Sequence, residues 1–306
     1  MKRGRVIKST GSWYEVVTTE GEQIQCRVRG KFRHKGIRST NPVAVGDWVS
    51  VKGDEGAYSI IDIEERKNYI VRRSVNLSKT SHIIASNLDQ AVLIVTMKEP
   101  VTFPTFIDRF CVAAEAFHIP VAIVFNKIDL LADGDIDVLE SFASVYQELE
   151  YPVIFTSAEK ELGFDDLKDL LMDKVSLLSG HSGVGKSTLI NKIDNNLSLK
   201  TGEISTSHQT GQHTTTFAEM FELEFGGYVV DTPGIRGFGI VDIEREELAG
   251  YFPEMRKHLP DCKFYNCLHI SEPGCAVKKA IERGEVAETR YNSYLNMYHE
   301  NEEQYR

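Results

Sequence analysis

The chain has 306 residues, of which 42% are hydrophobic and 26% charged, and its formal net charge is −10. This length predicts two or three domains with a substantial core, and the composition is that of an ordinary globular protein. The sequence has no apolar run long enough to span a bilayer and no signal-peptide pattern at its N-terminus. We therefore expect a cytoplasmic protein that does not bind membranes.

The first 73 residues are basic and rich in short β-type runs. They carry 15 Lys and Arg against 9 Asp and Glu, whereas the rest of the chain is acidic. This asymmetry favours a polyanion-binding surface, and a solvated charged surface is the alternative. The runs, with a basic segment between Arg27 and Arg38, predict a small β-barrel. An OB-fold, whose loops commonly hold oligonucleotides, suits the pattern, but an SH3-like barrel fits it too.

From about residue 88 the pattern changes to alternating apolar strands and amphipathic helices. The runs AVLIVTM and VAIVFNK are apolar, as in strands buried within a parallel sheet. Helical stretches near Phe103–Phe117, Val138–Glu150 and Asp165–Lys174 separate the strands. This order predicts a doubly wound α/β sheet with right-handed crossovers, in which ligand residues gather at the carboxyl ends of the strands.

A phosphate-binding loop follows one of these strands. The segment GHSGVGKST matches G-x-x-x-x-G-K-[ST] between a predicted strand and a predicted helix. Its glycines let backbone N–H groups turn toward phosphate oxygens, and the helix N-terminus adds a favourable field. Lys186 is expected to reach the β- and γ-phosphates as a catalytic group, and Ser187 to hold Mg²⁺. The predicted phosphate-binding residues are Gly180, His181, Ser182, Gly183, Val184, Gly185, Lys186, Ser187 and Thr188.

Two other strand ends carry a guanine-reading pattern. In NKID, Asp129 can accept hydrogen bonds from the ring N–H and the exocyclic amine of guanine, whereas adenine would leave this carboxylate unpaired. Asn126 is expected to brace the loop and the guanine edge, and the Lys127 stem to cover the ring face. In TSA, which includes Ser157, the backbone N–H of Ala158 is expected to reach the guanine carbonyl.

Two downstream segments complete the pattern of a GTP site. Asp231 of DTPG is expected to support Mg²⁺, directly or through water, and the Gly234 N–H to sense the γ-phosphate. A threonine of HTTT, either Thr214 or Thr215, is expected to complete the metal shell in the GTP state. The segment around HTTT is rich in Gly, Ser, Thr and His, which indicates a switch ordered by the γ-phosphate.

The residue that orients the attacking water is not the usual one. Ile235 stands after DTPG, where many GTPases carry a glutamine for this role, and an isoleucine cannot perform it. His213 beside the threonines is the candidate, and a purely stabilising role in the switch is the alternative. The motif order is also unusual, because NKID precedes the phosphate loop instead of following it. The sequence therefore predicts a circularly permuted GTPase.

Three of the five cysteines crowd with a histidine into the C-terminal segment. An odd cysteine count without a secretion signal argues against a disulfide framework. Three thiolates and an imidazole are typical of a closed structural zinc site, and ordinary buried thiols beside a surface histidine are the alternative. Short helices are expected around this cluster, with a closing helix near Val286–Tyr298. The predicted zinc ligands are Cys262, Cys267, His269 and Cys275.

Taken together, these motifs resemble the RsgA/YjeQ family of small ribosomal subunit biogenesis GTPases. The resemblance covers essentially the whole chain and includes the permuted order, GHSGVGKST, GQHTTT, DTPGIRGF and C-x4-C-x-H-x5-C. It implies an OB-fold RNA-binding domain over residues 1–73, a permuted P-loop GTPase domain over 74–239 and a mostly α zinc-binding domain over 240–306. It supports His213 as the water-positioning residue. Glu159 follows TSA where many GTPases have lysine, which affects only the fine contacts of that loop.

The resemblance also implies cofactors and partners. They are one structural Zn²⁺, Mg²⁺ with GTP, and the small ribosomal subunit with its rRNA, which stimulates hydrolysis of GTP to GDP and phosphate. We expect the protein to act as a monomer. Two rival functions stay open: a kinase-type P-loop enzyme of metabolism, and a GTP-regulated RNA-binding module without significant turnover. The guanine-reading NKID and the DTPG motif count against the kinase.

Overall fold

The structure is a computed structural model. It describes residues 1–28, 42–53, 58–73, 81–197, 199, 218–231 and 243–300. The predicted site residues His213, Thr214, Thr215 and Gly234 lie outside the described residues, as does most of the predicted basic loop. Within the described ranges, no helix combines the length and the apolar character needed to cross a membrane.

The N-terminal strands pair with one another, and five strand pairings, one parallel and the others antiparallel, close them into a barrel. The strands are β1 (Lys2–Ser9), β2 (Tyr14–Thr18), β3 (Gln23–Val28), β4 (Trp48–Lys52) and β5 (Tyr58–Ile63). β1 pairs with both β2 and β4, and β3 runs parallel to β5. Alternate side chains such as Val6, Val16 and Ile24 fill the interior, as the period of two in a strand requires. The predicted OB-type barrel is confirmed.

A buried ion pair fixes the barrel to the next hairpin, which consists of β6 (Tyr69–Arg73) and β7 (Ser81–Ser86). Arg66 donates from Nε and Nη2 to the two carboxylate oxygens of Asp47, each at 2.6 Å. The Ser86 hydroxyl, at the end of β7, donates to the same carboxylate at 2.6 Å. Because Asp47 is fully buried, these donors compensate the desolvation of its charge. The sequence pattern gave no indication of this hairpin.

The central part is the predicted α/β sheet. Its strands are β8 (Gln90–Val95), β9 (Val121–Phe125), β10 (Val153–Phe155), β11 (Val175–Ser179), β12 (Glu219–Glu222) and β13 (Tyr228–Asp231). They lie in the order β10-β9-β8-β11-β13-β12, and every neighbouring pair is parallel except β13 with β12. Strands β8, β9 and β11 are buried along their whole length, as apolar strands covered on both faces must be.

Helices cover both faces of this sheet. They are α1 (Pro104–Ala116), α2 (Asp133–Gln147), α3 (Phe164–Leu171) and α4 (Lys186–Ile193), with a short 3-10 helix at Ile128–Leu130. One apolar cluster joins α1 and α2 to the sheet, and a second joins α3 and α4 to its other face. Pro104 opens α1 at the first helical position, where its missing N–H costs nothing.

The barrel and the central sheet are continuous. Strand β1 pairs antiparallel with β12, with Lys8 opposite Glu219. The Lys8 ammonium lies 2.7 Å from a Glu219 carboxylate oxygen, and the Arg5 guanidinium lies 5.5 Å from the centre of the Tyr228 ring on β13. The barrel is therefore attached to the β12–β13 hairpin, and the eleven strands form one sheet.

The C-terminal part is helical and packs on α1. It contains α5 (Pro253–Arg256), α6 (Ala276–Glu282) and α7 (Glu288–His299), with 3-10 helices at Leu248–Tyr251 and Leu259–Asp261. A buried ionic cluster lies at this contact. Arg290 of α7 donates to Asp108 of α1 at 2.8 Å and to Glu254 of α5 at 2.7 Å, and the Tyr146 hydroxyl donates to Asp108 at 2.9 Å.

We expect Arg290→Met to lower the free energy of unfolding by about 3–5 kcal/mol, because it leaves the buried carboxylates of Asp108 and Glu254 without their cation. The control is Arg283→Met, which removes an exposed cation that pairs with Glu285 and is expected to have little effect. Urea unfolding followed by circular dichroism measures both changes. Equal unfolding curves for the two variants would contradict the structural role of Arg290.

Candidate active site and metal centre

The phosphate loop lies at the carboxyl edge of the sheet, between β11 and α4. Gly180 leaves β11 with a φ of 144°, and an added Cβ would lie 2.2 Å from the backbone oxygen of Ile94 on β8. Gly185, immediately before α4, has a φ of 90°, and an added Cβ would lie 2.6 Å from the side-chain nitrogen of Asn126. Glycine is therefore required at both ends of the loop. The N-terminus of α4 points into this loop, as an anion-binding helix does.

The ammonium group of Lys186 lies inside the phosphate loop. It donates hydrogen bonds to the backbone oxygens of Gly180 at 2.8 Å and His181 at 3.1 Å. Burial lowers the pKa of Lys186, and the nearby Asp231 at the end of β13 opposes this shift. Ser187 follows in the first turn of α4 and is half-buried. A cation, a hydroxyl and a carboxylate thus lie together at this edge, a donor set that fits a Mg²⁺-bound phosphate group.

The second residue of the loop, His181, contacts helix α1. Its ring stacks on Phe106 with centroids 3.6 Å apart and an interplanar angle of 27°. Burial lowers the pKa of His181, and the neighbouring Lys186 lowers it further. The imidazole is therefore neutral at pH 7, and it packs against a helix. The sequence pattern predicted a loop residue at this position but not its partner.

Asn126 joins three loops that are far apart in the chain. Its side-chain nitrogen donates to the backbone oxygen of Val184 in the phosphate loop at 2.8 Å. Its side-chain oxygen accepts from the Thr156 hydroxyl at 3.1 Å and from the Ala158 N–H at 3.3 Å. The side chain is buried, so these bonds also satisfy its polar atoms. The Ala158 N–H is predicted to contact a guanine carbonyl. In this structure it donates its hydrogen bond to the side-chain oxygen of Asn126.

Two further contacts shape the guanine-reading loop. The Ser157 hydroxyl donates to the carboxylate of Asp129 and accepts from the backbone N–H of Lys160 at 3.0 Å. Lys127 adopts a left-handed conformation with a φ of 62°, and its ammonium donates to the backbone oxygen of Glu99 at 2.6 Å. Ser157 therefore orients the carboxylate that the sequence singled out. The TSA motif predicted that Ser157 lies in the site. Its contact with the Asp129 carboxylate is visible only in the structure.

The described part of the predicted nucleotide site lies along one edge of the sheet, at the carboxyl ends of β9, β10, β11 and β13. The predicted residues found there are Asn126, Lys127, Asp129, Ser157, Ala158, Gly180, His181, Ser182, Gly183, Val184, Gly185, Lys186, Ser187, Thr188 and Asp231. The remaining predictions, on HTTT and on the glycine of DTPG, lie outside the described residues.

The predicted metal ligands form one compact cluster. One ligand atom from each of Cys262, Cys267, His269 and Cys275 lies within 4.8 Å of every other. The Nδ1 atom of His269 lies 3.6 Å from the sulfur of Cys262 and 3.4 Å from that of Cys275. Tetrahedral coordination at zinc–ligand lengths of 2.0–2.3 Å places donor atoms about 3.5–3.8 Å apart. The residues therefore fit a closed four-coordinate metal site.

The surroundings of the cluster hold its donors in place. The backbone N–H groups of Ala276 and Lys278, at the start of α6, each donate to a ligand sulfur at 3.4 Å. The hydroxyl of Tyr291 on α7 donates to the backbone oxygen of His269 at 2.6 Å. Burial lowers the pKa of His269, which keeps its imidazole neutral, the form that binds metals. Helices α6 and α7 are thus arranged around the Cys/His cluster.

The strand order and the loops at the sheet edge define a circularly permuted P-loop GTPase domain, joined to an OB-type barrel. The RsgA GTPase family model matches residues 63–241, and the RsgA N-terminal domain model matches residues 3–61. The chain belongs to the RsgA GTPase family.

Relatives and solved structures agree with this assignment over nearly the whole chain. A Bacteroides thetaiotaomicron protein named small ribosomal subunit biogenesis GTPase RsgA 2 is 54% identical over 98% of this chain and 97% of its own. A Bacteroides fragilis protein named small ribosomal subunit biogenesis GTPase RsgA is 53% identical over the same shares. The crystal structure of YjeQ from Thermotoga maritima has a TM-score of 0.80 and 38% identity, covering 97% of both chains. The crystal structure of YloQ, a circularly permuted GTPase, has a TM-score of 0.76 and 32% identity. This alignment covers 97% of this chain and 94% of YloQ.

We expect the purified protein to carry about one tightly bound zinc ion per chain, because the four clustered donors match a structural zinc set. Cys267→Ser should lose most of this metal and unfold the C-terminal part at a lower temperature. Cys26→Ala, which changes a buried cysteine of the barrel, should keep the metal. Elemental analysis by mass spectrometry measures the content. Unchanged zinc in Cys267→Ser would contradict this assignment.

Proposed function

We propose that this chain binds and hydrolyses GTP and that it assists the late maturation of the small ribosomal subunit. The single observation that carries the GTP part is the Asn126 side chain, which joins the guanine-reading loop to the phosphate loop. The printed names of the Bacteroides relatives support the ribosomal part, since the aligned region covers nearly their full length.

In this proposal the phosphate loop holds the β- and γ-phosphates, with its backbone N–H groups and with Lys186 as the catalytic cation. Mg²⁺, when bound, neutralises charge on the phosphates. Ser187, Asp231 and one threonine of HTTT, Thr214 or Thr215, would hold it, directly or through water. The Gly234 N–H would sense the γ-phosphate. Burial of Lys186 strengthens its attraction for phosphate, because a desolvated cation gains more from an anionic partner.

Guanine is selected by Asp129, held in position by the Ser157 hydroxyl. The carboxylate accepts from two guanine donors, and an adenine base offers it neither of these hydrogen bonds. Hydrolysis needs a residue that orients the attacking water. Ile235 cannot do this, so we assign the role to His213, in agreement with the resemblance drawn from the sequence.

The other two parts of the chain would contact the ribosome. We propose that the barrel, residues 1–73, binds rRNA through its basic surface, and that residues 240–306 form a zinc-stabilised domain beside the GTPase domain, residues 74–239. The proposed boundary between the barrel and the GTPase domain, near residue 73, falls between strands β6 and β7, and these two strands pair with each other. We further propose that the protein acts as a cytoplasmic monomer without a membrane partner.

We expect slow turnover of GTP alone, on the order of 10⁻⁴–10⁻² s⁻¹, and clear acceleration by purified small ribosomal subunits. Phosphate release with small subunits, large subunits or neither measures this effect. Lys186→Ala is the inactive control, because it removes the phosphate-binding cation.

Each contrary result has a distinct meaning. Turnover that stays flat with small subunits would favour a GTP-regulated binding module. Equal turnover of ATP and GTP would favour the kinase-type enzyme instead, because the Asp129 carboxylate would then not be selecting guanine.

A further inference from the structure

The loop between the first two metal ligands carries unusually exposed aromatic side chains. This loop, which we call the metal-loop tip, comprises residues 263–266 with the sequence KFYN. Tyr265 is fully exposed (103%), more than any other large hydrophobic side chain that the structure describes, and Phe264 is 40% exposed. Neighbouring exposed aromatic rings are typical of contact surfaces, where Tyr and Phe are enriched. No described residue of the predicted nucleotide site contacts the metal-loop tip.

The metal-loop tip is anchored at both ends by backbone contacts. It lies between Cys262 and Cys267, two members of the Cys/His cluster. Within it, the Cys267 N–H donates to the backbone oxygen of Phe264 at 3.2 Å, and the Lys263 N–H donates to that of Gly274 at 3.3 Å. An added Cβ on Gly274 would lie 3.2 Å from the Cβ of Lys263, so the lysine stem packs on this glycine. A ring presented on a fixed loop loses little conformational entropy when it binds.

The charge of the tip favours an anionic partner. The Lys263 ammonium lies 5.4 Å from the centre of the Phe264 ring, and the tip contains no acidic residue. The two rings are flanked by Lys263 and Asn266, which are both exposed, so a cation and an amide lie beside the ring faces. Two ring faces beside a cation match an unpaired base and its phosphate, because stacking accepts any base and the cation meets the backbone.

We propose that the metal-loop tip stacks on an unpaired nucleotide of the ribosomal RNA. Tyr265 provides the ring that stacks on the base, Phe264 extends this platform, and Lys263 pairs with the adjacent phosphate. This inference rests on the proposed function, since it names a contact that the C-terminal part makes with the ribosomal subunit. It gives the metal cluster a task besides folding, which is to hold the tip in place.

The test uses the full-length, zinc-loaded protein with a non-hydrolysable GTP analogue and purified small ribosomal subunits. The dissociation constant is measured for the wild type and for Tyr265→Phe, Tyr265→Leu and Tyr265→Ala. Leucine keeps apolar area but removes the π face. Val138→Ala, at an exposed position on α2, is the matched control. Zinc content is checked for every variant, so that a misfolded loop is recognised.

The proposal expects Tyr265→Phe to bind within about twofold of the wild type, and both Tyr265→Leu and Tyr265→Ala to bind about tenfold more weakly. Lys263→Gln should weaken binding and reduce its dependence on salt, because one phosphate contact is lost. Irradiation of the wild-type complex at short wavelength should leave a nucleotide adduct on the tryptic peptide that contains Tyr265, detected by mass spectrometry.

The contrary outcomes separate this inference from the function on which it rests. If the wild type binds small subunits but Tyr265→Ala binds equally well, the inference is wrong and the proposed function stands. If Tyr265→Leu binds like the wild type and no nucleotide adduct forms, the tip contacts a ribosomal protein, which also overturns the inference. If the wild type itself does not bind small subunits, the proposed function fails.

Discussion

The side-chain amide of Asn126 is the contact on which the predicted nucleotide site depends. It bonds the phosphate loop through Val184, and it bonds the TSA loop through Thr156 and Ala158. Circular permutation has changed the order of these loops along the chain, but the sheet order β10-β9-β8-β11 still brings the strand ends that carry them to one edge. Because the amide is buried, each lost bond would leave a polar atom unsatisfied, so the three loops hold one another in place. A GTP site tolerates permutation because it is defined by strand ends and not by chain order.

Two contacts connect this site to the rest of the molecule. Helix α1 touches the phosphate loop through Phe106 and His181, and it holds the C-terminal helices through Asp108 and Arg290. On the other side, the barrel is attached to the β12–β13 hairpin. In the chain, this hairpin lies between HTTT and the glycine of DTPG, whose predicted nucleotide contacts fall outside the described residues. The C-terminal helices therefore contact a helix that touches the phosphate loop. The barrel contacts a hairpin that adjoins predicted parts of the nucleotide site in the chain.

Local patterns predicted much of this architecture. The fully apolar runs predicted β8 and β9, the glycine spacing predicted the loop between β11 and α4, and four soft donors within a short segment predicted the Cys/His cluster. The sequence did not reveal contacts between distant residues. The pairing of β1 with β12 joins residues more than 200 positions apart, and Arg290 appears in the sequence as one more polar residue of a helix, although it is buried against two carboxylates. Burial and partner choice of this kind arise only when the elements pack.

If Asn126 holds the proposed nucleotide site together, the affinity of the protein for GDP depends on this side chain. Calorimetric titration should compare the wild type, Asn126→Ala and Asn68→Ala. Asn68 is a second buried asparagine whose side chain bonds backbone groups of Leu88 and His118, away from the phosphate loop. Losing three buried hydrogen bonds predicts a GDP affinity at least about tenfold weaker for Asn126→Ala. Asn68→Ala should bind GDP like the wild type. Equal GDP affinity in Asn126→Ala and the wild type would contradict the claim.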